Sequence, residues 1–180
     1  TKPYQPPGLW HGQNSFLPVY VADHGEGLHR RSLYSYWRRT SPLPDMSIFD
    51  MPTREVCTVR RQPTSTPLQP LVLLNDPQFV EAARGLGERM LREGGKTLEE
   101  RLIFAFRVGV TRSPRPRELQ LLVQLYEQQR DLFRQHPASA AQYLKIGEYR
   151  PAPGFDPVDL ATAAVTANAI LNLDAAIMTR

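Results

Sequence analysis

TPLQPLVLLNDPQFVEAARGLGERMLREGGKTLEERLIFAFRVGVTRSPRPRELQLLVQLYEQQRDLFRQH, residues 66–136, decides the fold, because helix-start and helix-stop signals bracket apolar residues at helical spacing. Thr66 can cap a helix, Pro67 suits the first helical position, and Gln69 stands where a capping box places its second member. Asn75-Asp76-Pro77 then kinks that helix or opens a new one, with Asp76 as its cap. Phe79, Ala83, Leu86 and Met90 follow at spacings of four, three and four, one face of an amphipathic helix that Gly94-Gly95 ends. Thr97-Leu98-Glu99-Glu100 is a second capping box, followed by Leu102, Ile103, Phe106 and Val110. Beyond residues 113–116, Leu119, Leu122, Val123, Tyr126 and Phe133 define a helix of about five turns, stopped by His136-Pro137.

Working outward toward the C-terminus, residues 139–146 suit a shorter helix before a Gly/Pro linker. Asp156-Pro157 caps a last helix carrying Leu160, Ala164, Val165, Asn168, Leu171 and Leu173. Asn168 and Asn172 on that apolar face are expected to be interhelical hydrogen-bond partners. Toward the N-terminus the helical period fades. LPVYV at 17–21 alternates enough for a short strand, residues 28–37 lean toward helix through Leu33 and Trp37, and residues 41–51 read as loop because Pro42 and Pro44 restrict the residues before them. The expectation is a mainly α protein: four to five helices in a bundle-like C-terminal part, with an irregular Pro-rich N-terminal arm. Residues 1–63 form the arm and arginine-rich segment, 64–180 the helical domain, together one fold unit.

Charge is informative by place. The whole chain of 180 residues carries a net charge of +4, and residues 30–61 alone hold seven arginines (30, 31, 38, 39, 54, 60, 61) against three acids, Asp45, Asp50 and Glu55. That excess of four equals the surplus of the chain, so one patch accounts for the basic character, which allows a local anionic partner but is not a polybasic tail. A single cysteine, Cys57, excludes an internal disulfide and any thiolate-rich metal site built by this chain alone. No apolar run reaches the ~18 residues that a membrane-spanning helix requires.

The stretch RRSLYSYWRRTSPLPDMSIFDMPTREVCTVRRQPTSTPLQPLVLLNDPQFVEAARGLGERML, residues 30–91, resembles the PSD family, domains of unknown function abundant in planctomycetes and related bacteria. The closing NLDAAIMTR resembles that family's terminal Asn-Leu-Asp signature. The resemblance implies a position: the C-terminal end of a large exported, periplasmic or cell-surface protein, behind a cytochrome c-like module. Family members extend further upstream of Pro-Pro-Gly-Leu-Trp, so Thr1 is expected to fall inside a domain, with the partner being the N-terminal part of the same precursor or a separate chain. No C-x-x-C-H occurs here, so no cofactor is expected in this chain, and haem c would belong to the parent protein or a partner.

Three groups of residues bear chemistry. Arg30, Arg31, Arg38, Arg39, Arg54, Arg60 and Arg61, with Tyr34 and Trp37, can recognise sulfate, phosphate or carboxylate, since guanidinium binds planar anions through two bonds and stacks on rings. The competing reading is internal ion pairing, with Asp23 and Glu26 near Arg30 and Arg31, Glu55 beside Arg54, and Asp50 in the Phe-Asp pair. An anionic polysaccharide comes next, and nucleic acid is not expected because no reader motif is present. Cys57, among Arg54, Arg60 and Arg61, is a candidate reactive thiol, set against the reading of a buried structural residue. His24 and His29, with Asp23, Glu26 and His11, contain metal-binding atoms, but the two histidines are five residues apart and share no helix face. Taken together, the residues and the resemblance lead to a noncatalytic scaffold or docking module, with an acidic or sulfated polysaccharide-binding or -processing component as the alternative.

Overall fold

Proline at a first helical position opens five of the α-helices, which turns residues that break helices internally into residues that start them. The computed structural model describes residues 1–10, 19–151 and 153–177. Among these there are eight α-helices, two short 3-10 turns and no strand. The chain separates into two units, Thr1–Val72 and Leu73–Arg180. Val19, Tyr20 and Val21, the described part of LPVYV, are not in a strand, while Leu17 and Pro18 lie outside the described residues, as does His11.

The first unit holds the 3-10 turns Gly25–His29 and Ser32–Tyr34, the short helix α1 (Pro44–Ile48) and the start of α2 (Leu68–Asn75). The expected helix over 28–37 is replaced by turns because the N-terminal arm takes the backbone groups a helix would use. The Thr1 ammonium donates to the Tyr34 carbonyl at 2.6 Å, and Tyr36 N–H donates to the Thr1 carbonyl at 2.7 Å. Residues 41–51 also differ from the loop expectation. Leu43 is extended (φ −65°, ψ 127°), as the residue before a proline should be, yet Pro44 itself begins a helical turn that buries Met46. Leu43, Met46 and Trp10 form the buried centre of this unit, with Leu9, Tyr20, Trp37 and Met51 packed on it. Gln69 does not complete a capping box at Thr66. Its side-chain amide donates instead to the Ile48 carbonyl at 3.0 Å, tying the start of α2 to the end of α1.

The second unit is built as its caps dictate. Asp76 ends the ambiguity at Asn75-Asp76-Pro77 by capping a new helix, α3 (Pro77–Glu93), with its carboxylate accepting from Gln78 N–H at 2.9 Å. Gly94 caps that helix, and Gly95 follows at φ +104°. Both halves of the Thr97/Glu100 capping box are present at α4 (Leu98–Val110). Helices α5 (Pro116–Gln135), α6 (Pro137–Tyr143), α7 (Pro157–Leu171) and α8 (Asp174–Ile177) complete the unit, and Asp156 caps α7 through bonds from Val158 and Asp159 N–H. The last of these, α8, has no counterpart in the expected set.

Helix α7 is the hub, packing on α3, α4, α5 and α6. Small residues fill it: Ala161, Ala163, Ala164 and Ala167 are fully buried, and the buried Thr162 and Thr166 hydroxyls donate to the Val158 and Thr162 carbonyls one turn back. Met90, Leu102, Phe106 and Ile170 are fully buried in the same core. Asn168 does what a buried amide requires, donating to the Leu74 carbonyl at 3.3 Å.

Where α4 turns into α5, Thr111 takes the left-handed conformation (φ 62°) and Arg112 reaches Glu118 through two bonds of 2.8 and 2.7 Å. Arg115 N–H adds a third bond to that carboxylate at 2.7 Å. The Arg112 hydrogen bond and then the Arg115 backbone bond hold the Glu118 pKa down to about 2. A depressed carboxylate pKa stabilises the fold above the ordinary range near ~4.3, and this contribution is lost as pH falls toward 2. The two side chains are 41% and 32% exposed, so the stabilisation is small. A carboxyl titration followed by NMR is expected to place Glu118 at about 2, and Arg112→Ala to raise it toward the ordinary carboxylate range. A midpoint unchanged by that substitution would contradict the pairing.

Candidate functional site

In the first unit, Tyr20, Tyr36 and Arg38 surround Trp10. Its backbone is left-handed (φ 67°), its ring is 5% exposed, and its indole N–H donates to the Ser41 carbonyl at 2.9 Å. Tyr20 and Tyr36 meet the Trp10 ring edgewise at centroid distances of 4.9 and 5.6 Å. Burial, with the charges of Asp45 and Asp23, pushes the Tyr20 phenol well above its ordinary pKa, and its hydroxyl donates to the Pro3 carbonyl at 2.5 Å. The arm is thus fixed from both sides. Lys2 N–H donates to the Asp23 carboxylate at 2.8 Å, and the Lys2 ammonium sits 5.7 Å from the Tyr36 ring centre.

The seven arginines divide by environment. Arg38 lies over Trp10 at 5.3 Å and Arg54 over Trp37 at 5.0 Å, each with a ring of its own. Arg30 pairs with Glu26 at 3.2 Å on the surface, one of the pairings the sequence suggested. Arg31, Arg39, Arg60 and Arg61 are exposed. Asp50 was expected to receive an arginine, yet its carboxylate accepts from Thr64 N–H at 2.6 Å and from the Thr64 hydroxyl at 2.7 Å. Those two bonds, and less strongly the charge of Arg61, lower the Asp50 pKa. Tyr34, 62% exposed, contributes its carbonyl to the arm and leaves its ring outside. His24 precedes the first 3-10 turn without a side-chain capping bond, and His29 ends the turn. Among the described residues, no three of His, Cys, Asp and Glu gather as a metal site would require.

Cys57 corrects the reading of a buried thiol, because it is exposed. The reason is the segment around it. Every residue from 53 to 65 is exposed and none lies in a helix or strand, so this part of the chain offers no interior to enter. Cys57 in the native protein is expected to react completely with a thiol reagent at neutral pH, without denaturant; protection until unfolding would contradict this.

Sequence reasoning missed a second polar cluster, buried in the other unit. Arg84 is fully buried on α3, flanked one turn away on either side by Glu81 and Glu88, each 3% exposed. Its guanidinium donates to the carbonyls of Leu144 (2.6 Å), Ile146 (3.0 Å) and Tyr149 (2.7 Å), and lies 3.6 Å from Glu81. Glu81 accepts from Tyr149 N–H at 2.5 Å, and the Tyr149 hydroxyl donates to Glu88 at 2.9 Å. The signal was legible: Glu81, Arg84 and Glu88 recur at three and four, alongside the apolar stripe. The cluster straps the 144–149 loop to α3 through both terminal guanidinium nitrogens of Arg84, while the buried Arg84 Nε makes no hydrogen bond.

An open depression of about 740 Å³ lies at the α4–α5 turn and α8, lined in part by Arg112, Arg115, Glu118 and Asp174. Two cations and two carboxylates leave it without a charge preference, and Arg112 and Glu118 already satisfy each other. No helix of the described residues is long and apolar enough to cross a membrane.

These features define a mainly helical protein with a cation–aromatic unit ahead of its helical core. Residues 1–126 match PSD1, described as a protein of unknown function (DUF1553), and the chain belongs to that family. The matched region covers the whole first unit, α3, α4 and about half of α5, and it stops before NLDAAIMTR. No curated protein and no solved structure matches the chain.

Proposed function

We propose that this chain is a noncatalytic docking module, placed at the C-terminal end of an exported, cytochrome c-associated protein, whose basic segment binds the other domains of that polypeptide or a separate partner chain. The export and the haem-bearing neighbour rest on the family resemblance; the docking rests on the chain itself. The carrying observation is the run 53–65. All of it is exposed, it has no secondary structure, and it presents Val56 at 73% exposure and a fully exposed Val59 next to Arg60 and Arg61. Two valines uncovered within four residues, beside two exposed arginines, support the docking reading. Leu33, 74% exposed, and Tyr34 add apolar surface within the same unit.

The test is binding between this chain and the separately expressed remainder of its polypeptide, with Val56→Asp and Val59→Asp introduced together. The pair is expected to weaken association at least about tenfold, the loss of two partly buried apolar contacts. Affinity that survives both changes would contradict the reading. A second reading, an acidic or sulfated polysaccharide, is supported by the exposure of Arg31, Arg39, Arg60, Arg61 and Tyr34. It requires that the isolated chain bind dextran sulfate in a salt-dependent way and lose that binding on Arg60→Ala/Arg61→Ala, with the valine changes leaving it intact.

A further inference from the structure

Residues 55–61, EVCTVRR, make no backbone–backbone hydrogen bond among the described residues. Val56, Thr58 and Val59 are β-branched, the side chains that best suit a pleated, half-covered surface, and here they are uncovered. The loop bearing them is held at both ends. Asp50 clasps Thr64 through the two bonds of 2.6 and 2.7 Å, and Arg54 rests on Trp37 at 5.0 Å. A strand-forming sequence is thereby presented on a closed loop with part of its ordering cost already met. No strand exists among the described residues for it to pair with.

We propose that residues 55–61 dock by β-strand addition, extending the edge of a sheet in another domain of the same polypeptide; this rests on the docking reading above and names its partner and mode. The partner edge is acidic. Residues 54–61 carry Arg54, Arg60 and Arg61 against Glu55 alone, so carboxylates flanking the receiving strand complement the segment and a basic edge repels it. Main-chain bonds supply the affinity in this mode, and the side chains of alternate parity supply the selection. Val56, Thr58 and Arg60 fall on one face of the added strand, Cys57, Val59 and Arg61 on the other.

The test is amide-resolved hydrogen exchange on the natural full-length protein against the isolated chain. An added edge strand bonds every second N–H, so amides of one parity within 55–61 are expected to slow at least about 100-fold and those of the other parity much less. Thr58→Pro and Val59→Pro provide the second measurement, since proline deletes a ladder bond at one parity and is tolerated at the other. One of the two is expected to abolish the protection and the other to retain it. Protection without alternation, or equal tolerance of both prolines, overturns strand addition and leaves docking standing. Exchange no slower in the full-length protein than in the isolated chain overturns docking and strand addition together.

Discussion

Arg84→Ala is expected to cost about 3–5 kcal/mol of folding stability, read as a lower urea midpoint with unchanged slope. The magnitude follows from what remains behind. Glu81 stays buried beside the vacancy, and the carbonyls of Leu144, Ile146 and Tyr149 lose their donor in a place water does not reach freely. Arg84→Lys is expected to recover only part of the loss, because a single ammonium nitrogen replaces a planar fork whose two terminal nitrogens serve three carbonyls. Exchange protection of the 144–149 amides should fall before that of α3 or α7, since the guanidinium is what straps this loop down. A urea midpoint within experimental error of the parent for Arg84→Ala would show that Arg84 does not hold this loop.

Two glycines in one helix give the second large effect, and they should move stability in opposite directions. Gly→Ala inside a helix ordinarily gains about 1 kcal/mol. At Gly85 nothing lies within 4 Å of the added methyl, so Gly85→Ala is expected to realise that gain. At Gly87 the same methyl would stand 2.8 Å from the Ala164 nitrogen and 3.0 Å from the Ala163 carbonyl carbon, backbone atoms of α7 that cannot rotate away. Overpacking of this kind costs roughly 1–3 kcal/mol, enough to cancel the helical gain and exceed it. Gly87→Ala should therefore lower the melting temperature where Gly85→Ala raises it, and Gly87→Val should lower it further. Equal shifts at the two positions would show that α3 and α7 do not cross as closely as described.

The helices from α3 to α7 were legible because capping residues and prolines act through the nearest three or four residues, which any reader of the sequence can see. Asp76, Thr97 and Asp156 each make the predicted bond, and Gly94 and His136 end what they border. What escaped depends on residues far apart in the chain. Nothing near Tyr34 and Tyr36 announces that the Thr1 terminus will occupy their backbone groups and leave turns in place of a helix. Gln69 has the identity and position of a capping-box residue, but the Ile48 carbonyl, 21 residues away, takes its amide. In the same way, the charged stripe of α3 was visible as a pattern, while its burial depends on a loop some 60 residues downstream.

The arginines of the basic block show the same dependence on distant residues. Seven arginines beside aromatic rings invited the idea of convergence on one ligand, whereas Arg38 and Arg54 each rest on a separate tryptophan and Arg30 on a glutamate. Cation–ring contacts depend on where the rings of Trp10 and Trp37 are brought by tertiary packing, which local spacing does not encode. Exposure of Cys57 follows from the same cause. A lone cysteine reads as a buried small residue by type alone, and only the fold shows that nothing within the first unit covers it.

Docking through residues 53–65 is tested most directly by limited trypsin digestion, with cleavage after Arg60 and Arg61 timed in the isolated chain and in the natural full-length protein. The isolated chain should be cut rapidly at both arginines, since they lie in an exposed segment without backbone pairing. In the full-length protein the same two bonds should be cut at least about tenfold more slowly while other exposed arginines keep their rates. Equal rates of cleavage at Arg60 and Arg61 in the two preparations would contradict docking through this segment.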